Sequence, residues 1–93
     1  MSVTAVLFCP AMHAENVARV DKGWTPAPGA TRERMAWLTP QGERVEHASC
    51  VEWFFGVRGL RIHLGFGCDW RDIKEIRALA RAGRHTIVGE EKS

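Results

Sequence analysis

Cys9 and His13 stand at C-x3-H spacing, and His47 and Cys50 at H-x2-C. Thiolate sulfur and imidazole nitrogen are ordinary ligands of tetrahedral zinc, so these four would make a Cys2His2 set if the two segments met. Neither pair has a C-x2-C knuckle, and nothing in the spacing brings them together. His63 and Cys68 add only a looser pair. Cysteine is also among the residue types most often buried outright. The expectation is therefore structural thiols and no cofactor, with zinc held by Cys9, His13, His47 and Cys50 as a third-ranked reading.

A thiol can instead act as a nucleophile when a helix N-terminus or a neighbouring cation lowers its pKa. Cys9 at a strand end, Cys50, and above all Cys68 are candidates, although Asp69 beside Cys68 opposes the effect. No Ser, His and carboxylate fall into a catalytic arrangement by spacing. A chain of 93 residues also has limited room for a closed, water-excluding pocket. No catalytic residue is assigned, and the chain is not expected to be an enzyme.

The third constellation is cationic. Lys74, Arg77, Arg81 and Arg84 recur at spacings of three and four, which lines them along one helical face, with Arg71 close by. The net charge of +2 is small, but residues 1–57 carry five basic and six acidic side chains while 58–93 carry eight and five. The positive field thus sits on the C-terminal third and favours an anionic partner. A solvated helix face gives the same spacing, and Asp72 and Glu75 dilute the charge. Too few residues follow Gly83 for the recognition helix of a helix-turn-helix. Ten arginines against three lysines are as well explained by the codon bias of a GC-rich genome.

These side chains must be positioned by a single domain, because 93 residues support one core and no second. Val3 to Phe8 reads as a first strand, ended by Cys9-Pro10. Residues 11–16 read as a turn, Asn16 to Val20 as a short second strand, and Thr25 to Gly29 as a loop, since two prolines and a glycine oppose regular structure. Arg34 to Leu38 and Glu43 to His47 flank Thr39-Pro40-Gln41-Gly42 and predict a hairpin whose first strand lies inside the sheet.

Residues 51–66 carry the clearest alternation. With a turn at Arg58-Gly59, Val51, Trp53, Phe55, Val57, Leu60, Ile62, Leu64 and Phe66 share one face, and Phe54, Arg61 and His63 the other. A rival reading starts from the capping-box form Ser49-Cys50-Val51-Glu52, which would begin a short helix at Cys50. The strand reading is preferred. Asp69 is a good N-cap for a helix whose stripe is Ile73, Ile76, Leu79 and Ala80, with Gly83 as its C′ residue. His85 to Val88 adds a last strand.

A lone hairpin is marginal in water, so its apolar face needs the helix as a lid. The predicted architecture is α+β: an antiparallel sheet of four to six strands with one C-terminal helix across one face, 88–93 forming a frayed tail. No segment has the length of a membrane span, the odd cysteine count suits a reducing compartment, and the cytoplasm is the default. The leading functional expectation is a non-enzymatic protein-binding module, an inhibitor or adaptor of the size that phages and mobile elements carry. Its predicted contact residues are Phe54, Arg58, Arg61, His63, Arg71, Lys74, Arg77, Arg81 and Arg84. A nucleic-acid-binding accessory protein using the Lys74/Arg77/Arg81/Arg84 stripe ranks second, and an edge strand leaves a homodimer open.

Overall fold

The computed structural model describes residues 3–88. In chain order it has β1 (Ala5–Phe8), α1 (Ala11–Asn16) running on as a π-helical segment (Val17–Asp21), β2 (Thr25–Pro26), β3 (Ala36–Leu38) and β4 (Arg44–Ala48). A 3-10 turn (Val51–Phe54), β5 (Arg61–Leu64), α2 (Trp70–Gly83) and β6 (Thr86–Val88) follow. The class is α+β, with six strands in the order β2-β3-β4-β1-β5-β6.

The sheet is mixed, which corrects the antiparallel expectation. β1 runs parallel to both β4 and β5, and β5 parallel to β6; only β2–β3 and β3–β4 are antiparallel. The physical reason lies in β1, where Ala5 to Phe8 are 0–1% exposed. A strand covered on both faces reads as a continuous apolar run, and parallel strands are covered because their crossovers lie on the faces. One crossover begins with α1, in a stretch that the sequence suggested was a turn and then a strand. Ala14, Val17 and Ala18 are buried at helical spacing there. That window is too short for its period to outweigh the β-branched residues.

Each face of the sheet therefore has its own cover. Ala5, Leu7, Trp37 and Val45 pack with Ala14, Val17, Ala18 and Trp24 on one side. Val6, Phe8, Ala48 and Ile62 pack with Val51, Phe54, Leu60 and Ile76 on the other. The predicted lid is present, as Ile76 and Ala80 of α2 are buried and Leu79 packs against the same cluster.

The 51–66 hairpin is absent. Residues 51–54 form the 3-10 turn, and β5 pairs with β1 and β6 instead. The helical alternative holds for one turn only, with Cys50 as an extended N-cap whose side chain makes no capping bond. Phe54 turns inward and Phe55 outward, reversing the expectation. The β3–β4 hairpin forms as predicted and places β3 inside the sheet. Thr25–Pro26, expected as loop, makes a two-residue edge strand, a position where proline's missing N–H costs nothing. Val88 ends β6, and the rest of the predicted tail lies outside the described residues.

Helix α2 starts as its sequence requires. The Asp69 carboxylate accepts the Arg71 N–H at 3.0 Å, and Asp72 adds negative charge in the first turn. Asp69→Ala is expected to cost about 0.5–2 kcal/mol in urea unfolding, with α2 fraying first in hydrogen exchange. At the other end Arg84, not Gly83, takes the left-handed conformation (φ 58°). Gly83 is needed for a different reason: a Cβ there would lie 2.7 Å from Nε2 of His85.

Candidate functional site

The adjacent parallel strands β1 and β5 send their connections to opposite faces of the sheet. In open sheets with parallel strands, ligands favour the crevice outside the carboxyl ends at such a reversal. Here that end is built from Cys9 and Pro10 after β1, Ser49 and Cys50 after β4, and Gly65 to Asp69 after β5. The Gly65 N–H donates to the Phe8 carbonyl at 3.0 Å and the Cys9 N–H to Ala48 at 3.2 Å, so the three strand ends are tied together. Gly67 (φ 88°) carries the chain past His13, where a Cβ would lie 2.5 Å from Cδ2, and the His13 ring lies against Phe66 at 5.0 Å, tilted by 49°.

The candidate metal ligands all come from elements near this end but do not form a site. Cys9 is buried, Cys50 is exposed, and His13 is against Phe66. His47 uses Nε2 to donate to the Cys9 carbonyl at 2.8 Å. Among the described residues no group of three or more His, Cys, Asp or Glu is placed to hold a metal ion.

Neither Cys9 nor Cys68 is activated as a thiolate. Burial is the main cause that pushes Cys9 up to about 12; the nearby Cys68 adds to it and Lys22 opposes it. Burial and then Asp72 raise Cys68 as well. Cys68, the first candidate for a lowered pKa, is thus shifted the other way, because desolvation and a nearby carboxylate both disfavour the thiolate. Its thiol instead donates to the carbonyls of Phe8 at 3.5 Å and Gly65 at 3.4 Å.

The predicted contact surface is divided by the sheet. Arg71, Lys74, Arg77, Arg81 and Arg84 are exposed along and just past α2, and Arg58 is exposed before the amino end of β5. Arg61 and His63 alternate with Ile62, which faces α2, and so lie on the opposite side. Arg61 is ion-paired with Glu43. His63 packs edge-on to Trp24 at 4.9 Å, and its buried Nε2 has no hydrogen-bond partner among the described residues. Burial, Lys22 and Arg61 lower its pKa against Glu43, which favours the neutral ring. Phe54, predicted to be a contact residue, is 1% exposed and belongs to the core.

What the spacing missed is an apolar rim at the carboxyl end. Met12 is 84%, Trp70 66% and Phe66 46% exposed. All three follow directly from the β1 and β5 ends, in α1, at the α2 start and in the Gly65–Gly67 bend. Trp70 was legible as an aromatic outside the apolar stripe of its helix. Phe66 was not, because alternation assigned it to the core. The Arg71 guanidinium lies 5.7 Å from the Trp70 ring centroid, joining this rim to the basic face of α2.

No helix among the described residues is long and apolar enough to cross a membrane. No family model, characterised protein or solved structure matches this chain.

Proposed function

We propose that this chain is a non-enzymatic binding protein, an adaptor or inhibitor that occupies an acidic surface of another protein. The observation that carries the reading is the exposed rim of Met12, Phe66 and Trp70 beside the cationic face of α2. Exposed aromatics next to arginine are the side chains that most often anchor protein interfaces. Charge selects the partner. Arg71, Lys74, Arg77 and Arg81 complement carboxylates around an apolar patch and would speed encounter with such a surface. A phosphate backbone fits less well, because Asp69 and Asp72 flank Trp70 and the Asp69 carboxylate already occupies the α2 N-terminus.

The test is affinity capture from nuclease-treated lysate, comparing wild type with a Phe66→Ala/Trp70→Ala variant and a Lys74→Glu/Arg81→Glu variant. These side chains are exposed, so all three proteins should show the same far-UV circular dichroism and melting temperature. A genuine partner is lost by the aromatic variant, at about 2 kcal/mol or more for an anchor residue. The charge variant should weaken it in a salt-dependent way. Equal capture by wild type and the aromatic variant would sink the reading. Capture seen only from a parallel lysate left untreated with nuclease, with steep salt dependence on a single-stranded oligonucleotide, would replace it with the nucleic-acid alternative.

A further inference from the structure

We propose that Cys9 and Cys68 are a disulfide-forming pair, a covalent modification site joining the carboxyl end of β1 to the start of α2. Both side chains are held at one backbone junction. The Cys68 sulfur lies 3.5 Å from the Phe8 carbonyl, the group bonded directly to the Cys9 nitrogen, and 3.4 Å from the Gly65 carbonyl. Gly65 also meets the other thiol: a Cβ there would lie 2.8 Å from Cys9 Cβ and 3.2 Å from its sulfur. Cys68 packs against the same cluster of buried side chains that contains Cys9. The strand ends that carry them are fixed by the Gly65–Phe8 and Cys9–Ala48 backbone bonds, so the pair is brought together by the fold. The third cysteine, Cys50, is exposed.

The chemistry needs an external disulfide, such as oxidised glutathione. The thiolate of half-buried Cys68 attacks it, forming a mixed disulfide and releasing one glutathione thiolate. The Cys9 thiolate then attacks the Cys68 sulfur and releases the second. The protein loses two protons and two electrons, and oxidised glutathione becomes two reduced molecules. Burial keeps both thiols protonated, so formation is slow at neutral pH. The same burial makes each a poor leaving group, so the bond, once made, resists reduction. Its place behind Met12, Phe66 and Trp70 would tie the β1–α1 and β5–α2 junctions together beneath the rim. The bond itself does not depend on that rim being a contact surface.

The experiment uses the full chain with Cys50→Ser, leaving two thiols, equilibrated in glutathione redox buffers at about pH 8.5 to raise the thiolate fraction. The expected product has an intact mass lower by two hydrogens, carries no glutathione, and releases on proteolysis one peptide pair joining Cys9 to Cys68. It should melt roughly 10 °C above the reduced form, because the bond closes a long loop. Cys9→Ala in the same background should instead retain one glutathione on Cys68. Two free thiols, or two separate glutathione adducts, in the most oxidising buffer would overturn the proposal. So would a cross-linked product that melts below the reduced protein, since the native geometry would then not accommodate the bond.

Discussion

Phe54→Ala will lower the free energy of unfolding by about 3–5 kcal/mol, the range for truncating a buried aromatic. Phe55→Ala next to it will stay within about 0.5 kcal/mol. The contrast follows from one residue's difference in position: Phe54 is 1% exposed and Phe55 61%. The Phe54 ring meets Phe8 at 5.8 Å, Trp53 at 5.2 Å and His85 at 6.0 Å, all at steep interplanar angles suited to edge-to-face packing. It lies with Leu60 and Ile62 against Ile76 of α2, so its loss opens a cavity between helix and sheet. Denaturant unfolding of the two variants side by side measures both effects. A neutral Phe54→Ala with a damaging Phe55→Ala would restore the hairpin in which Phe54 projects outward.

His85 predicts an effect that depends on pH. Its ring is buried, and Nδ1 accepts the Leu60 N–H at 3.0 Å. Backbone bonds from His85 to Ala80 and from Thr86 to Leu60, each 2.8 Å, complete the tie between the end of α2 and the start of β5. Protonation would remove the Nδ1 lone pair from Leu60. Burial lowers the pKa of the ring below its usual value of 6.5, against a hydrogen bond to the Val57 backbone. Between the two values the unfolded chain binds the proton and the folded one does not. The contribution is therefore complete above pH 6.5 and is lost as pH falls through the lower, folded value. His63 acts in the same direction.

Stability should fall on acidification from neutral pH toward about 5, and less so in His85→Gln, whose amide oxygen can accept the same bond without titrating. His85→Ala should cost about 1–3 kcal/mol at neutral pH for the orphaned Leu60 donor, with lost packing in addition. Urea titrations across this range are the measurement. An acid loss of equal size in wild type and His85→Gln would remove the histidine from the account.

Local signals were legible where a short segment carries its own physics. Asp69 caps α2 because its carboxylate satisfies the free N–H of Arg71 in the first turn, whatever the helix packs on. The β3–β4 hairpin followed from Pro40 and Gly42, and the lid from Ile76, Leu79 and Ala80. The rest depends on partners distant in sequence. Alternation over 51–66 groups side chains by face, but it does not name the neighbouring strand. β5 found that neighbour in β1, with Leu7 opposite His63. Both a strand and a helical turn put Val51 inside; they part only at Phe54 and Phe55, and tertiary packing chose between them.

The candidate site divides in the same way. The sequence by itself determined that α2 carries a cationic face, since spacing of three and four fixes a helical face before anything packs. Only the tertiary structure decided which residues share a surface. Parallel pairing of β1 with β5 sends α1 and α2 to opposite faces, so Arg61 and His63 are parted from the basic helix. The same pairing gathers Met12, Phe66, Trp70, Cys9 and Cys68 at one end of the sheet. Strand direction is set by which crossovers can cover an apolar strand on both faces, and that is a property of the whole chain.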